Sequence, residues 1–253
     1  MDEPSTRSCA GSWAAEMAIH AVLFDWDGTI VSNDPGAIDL AASAVDAYAR
    51  KYLGVDATGG DFARAFQSVV PPYTPGETGT SPVIGRIIGE AMTWLGWPCG
   101  TNDVEACSRL FFEEHMRHQE VYDDARALLS SLKFRGYRVA VVSNAIFPGH
   151  YFATRVNELG LAGYIDSFVS SADVGLAKPN PAPFRRALAD LGVEPHDAIF
   201  VGDSPVTDIP GARNAGMRAV LLQRNQQVHD RAGFLVIQRL TALNGILGEG
   251  TVF

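Results

Sequence analysis

The sequence predicts an α/β fold: a doubly wound parallel sheet with an all-helical domain inserted near its start. Three observations predict it. An apolar run from Ile19 to Phe24 breaks abruptly into Asp25-Trp26-Asp27-Gly28-Thr29, as a buried parallel strand does at its carboxyl end. From Tyr122 onwards, short apolar runs alternate with helical repeats, the pattern of a parallel sheet covered on both faces. Between Asp34 and about Glu120 that alternation is missing, and alanine-rich segments with scattered charges take its place. The expected layout is a tail over 1–16, a core built from 17–34 and 121–253, and a helical insertion over 35–120.

The elements follow in order. Ile19 to Phe24 is the first strand. Helical stretches are expected around Ile38 to Tyr52, Val83 to Trp94 and Val104 to His118, with the Pro/Gly/Thr-rich segment Pro71 to Pro82 as a loop. Trp94, Trp97, Phe111 and Phe112 are expected to fill the core of this insertion. Ala125, Leu128, Leu129 and Leu132 then fall on one helix face, and Gly136 ends that helix. Tyr137 to Val142 is a strand, His150 to Leu159 a helix closed by Gly160, and Phe168 to Ser170 a short strand. Phe184, Ala187, Leu188 and Leu191 repeat the helical spacing before Gly192. Ala198 to Val201, Val206 to Ala215 and Ala219 to Leu222 give strand, helix and strand. Phe234 to Ile237 and Leu240 to Leu247 add a last pair.

Composition narrows the function classes. The chain has 253 residues, 47% of them hydrophobic and 19% charged, enough for a substantial core. A net charge of −9 without a basic cluster argues against nucleic acid as a partner. No apolar run is long enough to cross a bilayer, so no membrane association is expected. Met1 to Glu16 lacks the apolar stretch of a secretory signal and reads as a disordered tail ahead of Met17. Cys9, Cys99 and Cys107 form an odd count without metal-like spacing, which suits a reduced, cytoplasmic protein. A monomer or homodimer is expected.

Polar groups recur where strands end. In an extended segment residues two apart share a side, so Asp25 and Asp27 project together while Trp26 points away. Gly28 lets the chain turn from the site. Ser143-Asn144 follows Val139 to Val142; Lys178-Pro179-Asn180-Pro181 opens a helix; Gly202-Asp203 follows Ile199 to Val201, with Asp208 five residues on. Parallel strands share a direction, so these groups converge at one edge of the sheet.

These four segments, in this order, resemble the four motifs of the haloacid dehalogenase (HAD) superfamily of phosphohydrolases. The match covers roughly Ile19 to Ser32 and Tyr122 to Leu222, and the insertion resembles the helical cap of one large branch. The resemblance implies a Mg²⁺-dependent phosphatase acting on a small phosphorylated substrate through an aspartyl-phosphate. Asp25 is the implied nucleophile, already ionised at neutral pH at an ordinary pKa of ~3.9. Asp27 is the implied general acid and base. An unperturbed Asp is protonated only ~0.1% of the time at pH 7, so the site has to raise its pKa by about 3, equivalent to ~4 kcal/mol. Thr29, Ser143 and Asn144 are implied phosphate-binding residues, and Lys178 neutralises charge on Asp25 and the phosphoryl group. An all-oxygen set suits a hard cation. The implied metal residues are Asp25, Asp27 through its backbone carbonyl, and Asp203. Asp208 is the fourth member of that set and is expected to act through water or Lys178. Two other readings share the scaffold: a sugar-phosphate mutase, and a non-catalytic binding module.

Overall fold

In the computed structural model the described residues are 19–32, 34–70, 81–224 and 235–248. The expected tail over 1–16, Met17, most of the loop from Pro71 to Pro82, and Phe234 lie outside them.

Among the described residues six strands form one sheet in the order β3-β2-β1-β4-β5-β6, and every neighbouring pair is parallel. The strands are β1 (Ala21–Phe24), β2 (Arg138–Ser143), β3 (Ser167–Ser170), β4 (Ala198–Gly202), β5 (Arg218–Leu222) and β6 (Leu235–Ile237). The core helices are α5 (Asp123–Phe134), α6 (Gly149–Glu158), the one-turn α7 (Ser171–Val174), α8 (Ala182–Leu191), α9 (Asp208–Asn214) and the short α10 (Leu243–Ile246). Strand alternation sends Val22 and Phe24 into one apolar layer and Ala21 and Leu23 into another. The second layer is closed by Phe184, Leu188 and Ala212 from α8 and α9. Both faces are therefore buried, and the strands read as continuous apolar runs.

The insertion consists of α1 (Ala37–Tyr48) with a π-helical turn over Ala49–Leu53, α2 (Asp61–Val69), α3 (Ile84–Trp94) and α4 (Thr101–Met116). Its apolar interior is continuous with the first layer of the sheet. Aromatic rings make the join: Phe112 packs on Phe147 and Phe152, and Trp26 packs on Phe152 and Phe168, with centroids 4.4–6.3 Å apart around the cluster. Two expectations change here. Helix α2 was not anticipated. It follows Gly59-Gly60, and its first amides are met from α1, where Asp46 accepts from Gly60 N and Phe62 N; Phe62, Ala65, Phe66 and Val69 give it a helical apolar face, carried by only nine residues. Trp94 is 60% exposed rather than in the core, whereas Trp97 stacks on Phe62.

The chain leaves and re-enters the core side by side. Val31 and Val121 form an antiparallel bridge, Ser32 N donates to Glu120 O, and Tyr122 N donates to Ile30 O. No helix among the described residues is long and apolar enough to cross a membrane.

Candidate active site

The strand order puts the ends of β2, β1 and β4 next to one another, with Ser143, Asp25 and Asp203 at one edge. Asp25 N still donates to Val201 O at 3.0 Å, so β1 keeps its register up to the carboxylate. Beyond it the chain folds back: the amides of Thr29, Ile30 and Val31 all reach Trp26 O. Trp26 is fully buried, as alternation requires, which leaves Asp25 and Asp27 on the other side. Gly28 has φ +73°, and a Cβ there would run into the Asp203 carboxylate. Glycine is needed at this point for both its backbone and its lack of volume.

Carboxylate oxygens of Asp25, Asp203 and Asp208 lie within 4.8 Å of one another. Lys178 is driven among them. Its side chain is 2% exposed; the ammonium donates to Asp25 Oδ1 at 2.7 Å and Val142 O at 2.9 Å and forms an ion pair with Asp208 Oδ1 at 2.8 Å. Burial alone would lower the lysine pKa; Asp208 and Asp25 more than offset it, and the ammonium stays charged. Asn144 holds the lysine's backbone on both sides, accepting from Lys178 N at 2.7 Å and donating to Lys178 O at 3.0 Å. One of the two Asn144 amide hydrogens is thus used on the Lys178 loop. Burial, then the Asp208 charge, push the Asp25 carboxyl well above the usual range, against the pull of Lys178. Asp203 is raised for the same first two reasons.

Asp27 is raised to about 6, chiefly by burial, with Lys178 and Gln119 opposing. Gln119 was not anticipated. Its Nε2 donates to Asp27 Oδ1 at 2.6 Å and its Oε1 accepts from the Trp26 indole at 3.4 Å. The residue stands just after α4, where the insertion returns to the core, and Arg155 bonds its carbonyl at 2.7 Å.

The carboxylates and the lysine gathered beside the ends of β1 and β4 can be compared with known proteins. The description haloacid dehalogenase-like hydrolase matches residues 19–216. The chain belongs to that hydrolase family. A phosphoserine phosphatase of Thermus thermophilus is 37% identical over 149 residues, 59% of this chain and 58% of that protein, so the match spans less than two thirds of that relative. A phosphoglycolate phosphatase of Rhodospirillum rubrum is 33% identical over 80% of this chain and 78% of that protein. Among solved structures, an HAD phosphatase from Thermococcus onnurineus superposes with a TM-score of 0.65 at 27% identity, covering 92% of this chain and all of the other.

The donor chemistry of this HAD-like site fits a hard divalent cation. The three carboxylates are crowded and only partly neutralised by one ammonium, and added positive charge would relieve the repulsion that raises Asp25 and Asp203. Asp208 is already committed, with Oδ1 on Lys178 and Oδ2 accepting from Ser204 N at 3.0 Å. Gly202 leaves no room for a Cβ beside it. Asp25 and the solvent-facing Asp203 retain free ligand capacity. Ser143 is buried at the end of β2. Thr29 is fully buried, and its Oγ1 has no partner among the described residues. A further unanticipated group lies behind the Asp25–Thr29 turn. Arg224 donates to Gly28 O (3.3 Å) and Thr29 O (2.7 Å), grips both oxygens of Asp124 at 2.8 and 3.0 Å, and stacks on Tyr122 at 3.8 Å. A lone arginine after β5, 100 residues from its counter-ion, carries no sequence signal.

Proposed function

We propose that this HAD-family hydrolase is a Mg²⁺-dependent phosphatase that cleaves a small phosphorylated metabolite through an aspartyl-phosphate on Asp25. The observation that carries the reading is the buried Lys178 ammonium bridging Asp25 and Asp208, close enough for its charge to act on Asp27. In the first step the Asp25 carboxylate attacks phosphorus, the bond to the leaving oxygen breaks, and Asp27 supplies its proton. A pKa near 6 makes a protonated Asp27 far more available than an ordinary aspartate. In the second step Asp27 takes a proton from water, the water oxygen attacks the same phosphorus, and the bond to Asp25 breaks. Lys178 stays fixed throughout and neutralises charge at the reacting oxygens. Asp25, Asp203 and the backbone carbonyl of Asp27 would hold the cation, which would offset repulsion between the nucleophile and an anionic substrate.

Phosphate release from p-nitrophenyl phosphate with Mg²⁺, its loss in EDTA, and acid-quenched mass spectrometry test this reading. A phosphorylated species is expected in the unchanged protein and absent from Asp25→Asn. Undiminished turnover in that variant overturns the mechanism.

A further inference from the structure

The charge around the leaving group narrows the substrate class. A leaving oxygen has to lie within hydrogen-bond reach of Asp27. Asp27 is bonded by Gln119, at the end of the helical insertion. The insertion therefore borders the leaving group. It is acidic: residues 35–120 hold eleven Asp and Glu against six Lys and Arg.

None of the six cations turns inward. Arg50 donates to Ala57 O at 2.8 Å, and Lys51 lies over the exposed Tyr52 ring. Arg64, Arg86 and Arg109 pair with Asp61, Glu90 and Glu105 within α2, α3 and α4, and Arg117, just past α4, pairs with Glu114, each three or four residues away. Their side chains are 54–65% exposed, on faces opposite those that α2, α3 and α4 bury. The stretch Pro71–Thr80 contains no Lys, Arg or His. The amides leading into α3 are also taken: Ser81 N donates to Gly175 O and Ile84 N to Ile146 O. On the inner end of α4 stands His115, packed on Phe111 and Phe147, and burial lowers its pKa and favours the neutral form. The charge that acts on it is Asp34.

We propose that the site selects phosphate monoesters whose leaving alcohol is uncharged or cationic, and rejects those whose leaving group carries a carboxylate or a second phosphate. This rests on the phosphatase reading above and sets the chain apart from its phosphoglycolate-cleaving relative, since an anion on the leaving group would meet no counter-charge from the insertion, and Arg155, the core cation at Gln119, already donates to Gln119 O and pairs with Glu158.

The test uses the full chain with Mg²⁺. Hydrolysis of p-nitrophenyl phosphate first establishes turnover. Then kcat/KM is compared for glycerol phosphate and phosphoethanolamine against phosphoglycolate and 3-phosphoglycerate. The neutral and cationic esters are expected to lead by on the order of tenfold or more. Raising the salt from about 0.02 to about 0.2 M should narrow that gap. Equal or faster cleavage of phosphoglycolate overturns the proposal, and a gap indifferent to salt overturns its electrostatic cause. Calorimetric binding of the same four esters to Asp25→Asn reads the preference without turnover. If no ester is hydrolysed but the binding order holds, the phosphatase reading falls and the charge selection stands.

Discussion

Gln119 Nε2 donates to Asp27 Oδ1 at 2.6 Å across 92 residues of chain. The amide is oriented by its other end, because only a carbonyl can accept from the Trp26 indole. The final residues of the insertion thus hold the group assigned to proton transfer. Gln119→Leu keeps the bulk and removes both hydrogen bonds. A fall in kcat of about tenfold or more is expected with KM little changed, since a misplaced acid costs the chemical step more than ground-state binding. Steady-state kinetics on p-nitrophenyl phosphate check it; a change confined to KM counts against the role.

Lys178 is the site's single buried counter-charge for Asp25 and Asp208 among the described residues. Lys178→Met strands two carboxylates in a buried setting. Stability is expected to drop by about 3–5 kcal/mol in metal-free buffer, and turnover to vanish. Denaturant melts measure the first effect. Adding Asp208→Asn to Lys178→Met removes one stranded charge and should recover part of the stability but none of the activity.

Asp27 carries a pH signature. Its folded pKa of about 6 lies above the unfolded value of about 3.8. Between these values the folded protein binds more protons than the unfolded one, so stability falls as pH rises through the window and levels off above it. In EDTA the contribution is about 1–3 kcal/mol. Asp27→Asn should abolish turnover, flatten this part of the stability profile, and leave the variant more stable than the unchanged protein at pH 7. Denaturant midpoints across pH 4 to 7 decide it, and a variant with the same slope contradicts the assignment.

Arg224 joins the Gly28-Thr29 turn to Asp124 at the start of α5. Arg224→Met leaves Asp124 buried and unpaired, with an expected loss of about 3–5 kcal/mol. Pairing it with Asp124→Leu removes the stranded charge. If the arginine positions the turn, the double variant regains much of the stability but keeps a lowered kcat. Full recovery of kcat would make the arginine a scaffold residue only.

Apolar patterning and strand-end chemistry were legible from the sequence because both are local. Val22, Phe24, Val139 and Val201 declare a buried sheet by their own runs, Asp25 and Asp203 sit where such strands end, and Lys178 stands in the loop that opens α8. What escaped was set by tertiary contact. Asp46 caps α2 from another helix, Asn144 clamps a loop 34 residues away, and Gln119 and Arg224 act across about 90 to 200 residues. Trp94 shows the converse: its type suggested burial, but its phase on α3 faces outward.

The bridge between Val31 and Val121 makes the helical insertion an excursion from two adjoining points. Its outer surface can therefore drift in sequence and length without disturbing the strand order. Its underside cannot, because Phe112 seals the rings of Phe147 and Phe152. A transplanted insertion from a relative would be accepted only if it brought an aromatic sole of the same shape, so changes of specificity are confined to what can be built above that floor.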